Sequence, residues 1–307
     1  MEELDPNSYR AILECLPNGV YVVNLERKIL FWNDGAEKIT GYLRHEVIGR
    51  YCPDNLLMHC DLTYQCLCDC ECPLLATIHD GRSRNAQLFL RHKNGERVPV
   101  RVRSMPLRDA AGAVIGAVES FNEHHPGADQ RVHPKAQAVD NHLEQLTEIS
   151  DHASTQAYLQ ACLSDFADDR IPFSVLRIAI DDWNSFRKIH GAVAADRIVH
   201  MVAATLSRNL REGDIVGHWK EDMFLAILLD CPPAPLAQIA AKLKLIIDAA
   251  AIPWWGDRLC VTISAGGATV RPEDTADSLL SRSTEALVAS LEGRSGRVET
   301  ILREKGK

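Results

Sequence analysis

Two apolar segments joined by one charged turn constrain the fold of this chain more than any other feature. Residues 215–219 and 223–229 are mostly apolar, and Lys220, Glu221 and Asp222 separate them. Apolar segments of this length on either side of a short polar turn predict a β-hairpin. Such a hairpin would carry the acidic side chains of its turn at one edge of a larger sheet.

The length and composition are those of a globular protein with two domains. The chain has 307 residues, of which 46% are hydrophobic and 25% charged. Its longest apolar runs fall well short of the roughly 20 residues that a bilayer requires, and its first residues lack the pattern of a signal peptide. A net charge of -8 argues against nucleic acid or anionic lipid as partners. We therefore expect a cytoplasmic protein whose 10 cysteines are mostly reduced.

The first part of the chain has the pattern of an antiparallel sheet. Runs of β-branched and aromatic residues predict its strands, and Asn94-Gly95 predicts a tight hairpin between the third and the fourth. Asn33 or Asp34 can cap a helix over residues 35–40, and Gly41 can end it. The five predicted strands cover residues 19–24, 28–32, 87–92, 97–103 and 113–121.

This order of elements resembles a PAS sensor domain. The resemblance rests on the series Asn-x-x-x-Glu-x-x-Thr-Gly-Tyr from Asn33 to Tyr42 and on the late Asn-Gly hairpin. It covers nearly all of residues 9–122, and we assign residues 1–123 to this domain. The resemblance implies a sensing role, but it does not name a stimulus, because PAS pockets hold haem, flavin, a metabolite or nothing.

A cysteine-rich insert at residues 52–72 is a feature that a PAS fold does not require. Thiolates are preferred ligands of Zn²⁺ and of iron–sulfur clusters, so a metal centre is the first expectation. Alternate side chains of an extended strand lie about 7 Å apart, so only a curled loop or a helical turn could form the site. A thiol redox switch and simple packing residues are the alternatives. The candidate ligands are Cys60, Cys66, Cys68, Cys70 and Cys72, with Cys52 and His59 as possible additions.

A linker at residues 124–145 follows the first domain. Apolar residues three or four apart at Val139, Leu143, Leu146 and Ile149 predict a short amphipathic helix. Such a helix would either form the stalk of a homodimer or pack on the second domain.

Residues 146–307 alternate helices and strands, which predicts an α/β domain with a mixed, largely antiparallel sheet. The order resembles a GGDEF domain, the catalytic unit of diguanylate cyclases. The matching positions are Leu146-Thr147, Gly191, Asp196, the strand around Val261 and the helix around Glu285. The resemblance implies that two facing domains would join two GTP molecules into cyclic di-GMP with the help of bound metal ions.

Several residues that this chemistry requires are replaced. Ala179 stands where the family has a metal-binding aspartate, and Met223 stands where the turn has a second carboxylate. Arg187 replaces an asparagine that recognises guanine, although its partner Asp196 is retained as a nucleotide-binding remnant. Lys220 and Glu221 replace the two glycines of the turn, so Asp222 and Asp181 are the remnants of the catalytic set. We therefore expect no Mg²⁺ in this site and a catalytically degenerate domain.

Arg211 and Asp214 keep the Arg-x-x-Asp pattern that binds cyclic di-GMP in the family. An arginine fork can hold a phosphate or a guanine edge, but both residues could also serve only as helix-end and turn residues. The sequence thus favours a sensor coupled to a degenerate domain that binds cyclic di-GMP or a protein partner. The alternatives are an active cyclase with a rearranged metal site and a scaffold that binds no nucleotide.

Overall fold

The computed structural model describes residues 5–52, 54, 56–61, 65–68, 72–124, 142–211, 213–292 and 298–300. The chain divides into two compact units, Met1–His124 and His125–Lys307. Within the described ranges, no helix combines the length and the apolar character needed to cross a bilayer.

The first unit is an antiparallel sheet with helices between its second and third strands, as the sequence predicts. The described strands follow the spatial order β2-β1-β5-β4-β3, and every neighbouring pair is antiparallel. The elements are α1 (Pro6–Cys15), β1 (Gly19–Asn24), β2 (Ile29–Trp32), α2 (Asp34–Thr40), α3 (Arg44–Val47), α4 (Pro73–Asp80), β3 (Arg84–Arg91), β4 (Arg97–Arg108) and β5 (Val114–Glu123).

Asn33 explains how the chain changes from strand to helix in this unit. Its side-chain oxygen accepts hydrogen bonds from Ala36 N at 2.9 Å and from Val20 N at 2.8 Å, so one residue caps α2 and holds β1. Gly41 ends α2 with a φ of 72°, a value that favours glycine. The apolar face of the sheet then packs under these helices around Tyr21, Trp32 and Phe121.

The second unit has a mixed sheet in the order β12-β11-β6-β8-β7, in which the β11–β12 pair is parallel and the other pairs are antiparallel. A separate two-stranded hairpin forms from β9 and β10. The elements are α5 (His152–Asp169), β6 (Phe173–Ile180), α6 (Trp183–Asn209), β7 (Ile215–Lys220), β8 (Met223–Leu229), α7 (Pro233–Ala249), β9 (Ile252–Trp254), β10 (Asp257–Leu259), β11 (Ile263–Thr269), α8 (Ala276–Glu292) and β12 (Val298–Thr300).

Helices cover both faces of this second sheet. All eight residues of β6 are buried, which is the pattern of a strand with apolar cover on both sides. On one face, α5 and α8 join β6 and β8 in one apolar cluster around Leu159, Val175 and Leu279. A Cβ on Gly266 of β11 would lie 2.1 Å from Leu287 N, so glycine lets α8 lie directly on the strand.

The predicted helix that would continue to Ile149 is wrong for the described part of the linker. Leu143 and Ser150 form an antiparallel bridge instead, and Glu148 has a φ of 57°. The Glu144 carboxylate accepts hydrogen bonds from the backbone N and the hydroxyl of Thr147, which stabilises a tight turn. Polar contacts within the turn therefore override the apolar spacing. Val139 lies outside the described residues.

Candidate functional site

The predicted hairpin is present, and its turn lies against the end of the central strand β6. Ile180 N donates a hydrogen bond of 2.9 Å to Asp222 O, and Met223 pairs directly with Ala179. The two positions at which carboxylates are missing are therefore neighbours on adjacent strands. Since directly opposed side chains share one face of a sheet, an alanine and a methionine occupy the place where two metal ligands would converge.

Asp181 is close to this edge, but both of its oxygens are already used. Its Oδ2 accepts from Thr262 Oγ1 at 2.6 Å, and its Oδ1 accepts from Ser264 Oγ at 2.7 Å. The residue is buried, so these bonds satisfy a carboxylate that would otherwise be costly to desolvate. Asp181 thus holds β11 against the end of β6, and the two hydroxyl groups fix the orientation of its carboxylate.

Among the remaining charged residues of this edge, Asp222, the carboxylate retained in the turn, is half-buried, and Lys220 is exposed. Arg187 Nη1 donates to Glu221 Oε2 at 3.0 Å across the space between α6 and the turn. Asp182 at the start of α6 and Asp196 within α6 are both exposed. Within the described part of the chain, no three histidine, cysteine or acidic side chains come together as ligands for a metal ion.

Arg211 and Asp214 form a connected pair at the other end of the hairpin. Asp214 Oδ1 accepts from Leu229 N at 2.9 Å, and its Oδ2 lies 3.4 Å from Arg211 Nε. Arg211 Nη2 donates to Leu229 O at 2.7 Å. The pair therefore satisfies the last backbone groups of β8, while the Asp214 side chain is 1% exposed and that of Arg211 is 25% exposed.

A cavity of about 330 Å³ opens beside this pair. Burial raises the pKa of Asp214 to about 6 and lowers the pKa of Lys242. It is the largest cause of both shifts. The guanidinium of Arg211 and the ammonium of Lys242 thus border one pocket with apolar walls. The lining residues are Asn209, Leu210, Arg211, Asp214, Asp230, Pro235, Ile239, Lys242 and Leu243.

A buried polar cluster that was not predicted from the sequence lies in the core of the first unit. Glu119 is 1% exposed and accepts hydrogen bonds of 2.7 Å from Tyr21 Oη and from Ser104 Oγ. His59 Nε2 lies 3.8 Å from Glu119 Oε1, and burial lowers the pKa of His59. Cys52 Sγ lies 3.7 Å from Tyr21 Oη. A glutamate on the inward face of a predicted apolar strand was the available signal.

Several described cysteines of the insert lie near one another, since, beyond the larger effect of burial, Cys68 and Cys72 both raise the pKa of Cys52. Among the described residues, however, no three ligating side chains come together as a metal site. Cys60 and Cys66 oppose each other in a short antiparallel ribbon. Burial raises the pKa of the Cys52 and Cys72 thiols and raises that of Cys68 to about 12, so neutral thiols are favoured there. Cys70 lies outside the described residues. The metal centre therefore stays a prediction.

Comparison with known protein families shows which family the chain belongs to. Residues 141–297 match the family described as diguanylate cyclase, GGDEF domain. The chain belongs to the GGDEF family. Residues 17–123 match the PAS domain family, so a PAS domain precedes the GGDEF domain, and both predicted resemblances are confirmed.

Two curated relatives are a probable diguanylate cyclase and a diguanylate cyclase. The chain is 23% identical over 291 residues to the probable diguanylate cyclase DgcE of Escherichia coli, which covers 93% of this chain and 25% of DgcE. It is 24% identical over 127 residues to the diguanylate cyclase DgcP of Pseudomonas aeruginosa, which covers 40% of this chain and 19% of DgcP. The chain thus spans about a quarter or less of these relatives.

Solved structures give the same fold for the GGDEF domain. The GGDEF domain of DgcB from Caulobacter crescentus in complex with c-di-GMP matches with a TM-score of 0.51 and 18% identity, over 52% of this chain and 96% of that one. The diguanylate cyclase SiaD of Pseudomonas aeruginosa, in complex with its activator SiaC, matches with the same score and identity, over 52% and 61%.

The raised pKa of Asp214 predicts a pH-dependent stability of the GGDEF domain. The folded-state pKa of about 6 lies above the value of about 3.9 for an unfolded aspartate, so the folded state binds the extra proton between them. This contribution is complete below pH 4 and is lost as the pH rises to about 6. The full loss in the free energy of unfolding is on the order of 3 kcal/mol, of which we expect about 2 kcal/mol between pH 4.5 and 7.

Urea denaturation of the wild type and of Asp214→Asn from pH 4.5 to 7 measures this effect as the difference between the two proteins. Asp277→Asn, at an exposed position on α8, is the matched control. If the stabilities of the wild type and Asp214→Asn change in parallel with pH, the explanation is wrong.

Proposed function

We propose that this chain is a PAS–GGDEF signalling protein whose GGDEF domain binds cyclic di-GMP instead of making it. The observation that carries this proposal is the direct pairing of Ala179 with Met223 at the hairpin turn. These two positions are the ones at which the family resemblance expects carboxylates.

Asp222 alone keeps a carboxylate at its expected place in the turn, and the other acidic residues do not replace the missing ligands. Asp181 accepts hydrogen bonds from Thr262 and Ser264 with its two oxygens, and Glu221 pairs with Arg187. Mg²⁺ demands near-ideal octahedral oxygen geometry and is usually held by one or two carboxylates together with phosphates. The described residues therefore do not fit the pair of metal ions that the family chemistry requires, and we derive no catalytic step through them.

The pocket beside Arg211 has the chemistry of a site for a phosphate-bearing ligand. Hydrogen bonds among the described residues use Nε and Nη2 of Arg211, which leaves Nη1 to donate to a ligand. Lys242 adds a second cation to the same cavity. Its volume of about 330 Å³ lies at the low end for ligand pockets, so it would enclose part of a dinucleotide. The related domain of DgcB has been crystallised with c-di-GMP.

Calorimetric titration of the full chain with cyclic di-GMP tests the proposal. We expect the wild type to bind and Arg211→Ala to bind at least about tenfold more weakly, because a charge-assisted hydrogen bond is worth about 1.5 to 3 kcal/mol. Arg211 also holds the end of β8, so Lys242→Met provides a second variant that removes only the ammonium group. It should weaken binding without unfolding the domain.

Arg258→Ala is the matched control, because Arg258 is an exposed arginine on β10 of the same domain and does not line the pocket. It should leave the affinity unchanged. If the wild type does not bind, or if Arg258→Ala weakens binding as much as Arg211→Ala does, the receptor function is contradicted. The predicted homodimer and a downstream protein partner remain proposals.

A further inference from the structure

A short ribbon in the cysteine-rich insert places two thiols side by side. Cys60 and Cys66 are antiparallel partners. Asp61 N donates to Gln65 O at 3.0 Å and Leu67 N donates to His59 O at 2.8 Å, so one hydrogen bond lies on each side of the pair. This pattern defines a non-hydrogen-bonded pair, in which the Cα atoms are about 4.5 Å apart and the side chains approach closely.

That spacing suits a disulfide without movement of the backbone. Disulfides join residues whose Cα atoms are about 4.4 to 6.8 Å apart, and the side chains of a directly opposed pair leave the ribbon on the same side. Rotation about the side-chain bonds is therefore the main change that Cys60 and Cys66 need.

The two thiols differ in exposure, and one of them is anchored to the sheet. Cys66 is exposed, so a solute can reach it, whereas Cys60 is buried. Cys60 exchanges two backbone hydrogen bonds of 2.8 Å with Phe89 of β3. The buried thiol is thus held in place by the edge strand of the PAS sheet while its exposed partner meets the solvent.

We propose that Cys60 and Cys66 form an oxidative modification site that hydrogen peroxide converts to a disulfide. The Cys66 sulfur attacks one peroxide oxygen, the O–O bond breaks, and a sulfenic acid and one water form. The Cys60 sulfur then attacks the Cys66 sulfur, the S–O bond breaks, and a second water leaves. Two thiol hydrogens and two electrons pass to the peroxide, and a small thiol reverses the reaction by exchange.

The Cys60–Cys66 disulfide would link the segment that carries Cys66 to the segment that pairs with β3. This link would lie next to the buried polar cluster of the PAS core. His59 precedes Cys60 and lies 3.8 Å from Glu119. The hydrogen bond from Leu67 N to His59 O and the disulfide at Cys60 would together fix the backbone between His59 and Cys60. Oxidation of the exposed Cys66 would thus restrain the backbone at His59, which belongs to the buried polar cluster.

Cys68 is the competing partner, since its side chain hydrogen-bonds to that of Cys66. Cys68 follows Cys66 by two residues and lies in a turn, and a disulfide between residues so close in the chain would have to bend the backbone sharply. The opposed pair has no such requirement, and the ribbon therefore favours Cys60.

Peptide mapping of the full chain tests the site directly. The protein is treated with hydrogen peroxide, remaining thiols are blocked with N-ethylmaleimide, and the chain is cut before aspartate without reduction. Asp54 and Asp61 then release residues 54–60, with Cys60, apart from residues 61–68, with Cys66 and Cys68. We expect these two peptides to be joined in most of the oxidised protein, with the loss of two hydrogens, and to separate after treatment with dithiothreitol.

Cys66→Ser should abolish the joined peptides, and Cys68→Ser should leave them unchanged. Cys66 is exposed, so its replacement should not disturb folding. The proposal is overturned if the peptides stay separate while Cys66 becomes oxidised, or if Cys68→Ser is the variant that prevents the link. It is also overturned if the purified protein carries a bound metal that protects Cys60 and Cys66 from N-ethylmaleimide.

Discussion

Glu119→Ala should destabilise the PAS domain by about 3 kcal/mol or more. Glu119 accepts hydrogen bonds from Tyr21 and Ser104, and both donors lie in the protein interior. Without the carboxylate, two hydroxyl groups remain buried without an acceptor, and each unmet group costs about 1 to 3 kcal/mol. The side chain also leaves a void in a closely packed core.

Hydrogen exchange of the full chain, followed by mass spectrometry, measures this loss domain by domain. Peptides of β1, β4 and β5 should exchange about a hundredfold faster in the variant, because 1.4 kcal/mol corresponds to a factor of ten. Peptides of the GGDEF domain serve as the internal control and should not change.

Glu119→Gln is the matched variant because it keeps the shape and one acceptor oxygen. It should reduce the stability of the PAS domain less than Glu119→Ala does, because Tyr21 can still donate to the amide oxygen while the new amide group faces Ser104. If both variants exchange like the wild type, the buried cluster contributes nothing to the stability of the PAS domain.

The sequence was sufficient to predict the order of the main elements, because the determining signals are local. The Asn94-Gly95 turn and the alternation of Val98, Val100 and Val102 predicted the β3–β4 hairpin, and Gly95 has a φ of 101° in that turn. The hairpin at Lys220 to Asp222 followed from the same kind of pattern. Strand and turn signals of this kind lie within a few residues of each other.

The polar contacts that define the candidate sites were harder to predict, because their partners are far apart in the chain. Asp181 had the spacing of a metal ligand, yet hydroxyl groups of Thr262 and Ser264 on another strand occupy its oxygens. Glu119 was recognisable as a charged residue in an apolar strand, but nothing local pointed to Tyr21. Only the register of the sheet brings such residues together.

Two departures from the predicted elements also have local physical causes. Linker residues near Ile149 have helical spacing, but hydrogen bonds from Thr147 to Glu144 favour a turn. Gly191 has a non-helical backbone with a φ of 81° and a ψ of 173°, so α6 is kinked there into two helical segments, residues 183–190 and 192–209. Apolar periodicity predicts neither the turn nor the kink.

The GGDEF domain should show no turnover of GTP to cyclic di-GMP. Catalysis of this kind requires metal ions that neutralise the triphosphate, and the paired positions Ala179 and Met223 supply no oxygen for them. Loss of a single electrostatic contact to a transition state costs about a hundred- to a thousandfold in rate. With two carboxylates missing, we expect a rate at least about a thousandfold below that of an active cyclase.

The most direct test is chromatography of the products after the full chain is incubated with GTP and Mg²⁺, alongside an active cyclase as positive control. We expect that neither the linear dinucleotide pppGpG nor cyclic di-GMP accumulates above the level without protein, for the wild type and for Asp222→Asn alike. Accumulation of either product by the wild type, abolished in Asp222→Asn, would disprove the loss of catalysis and would establish a cyclase with a rearranged metal site.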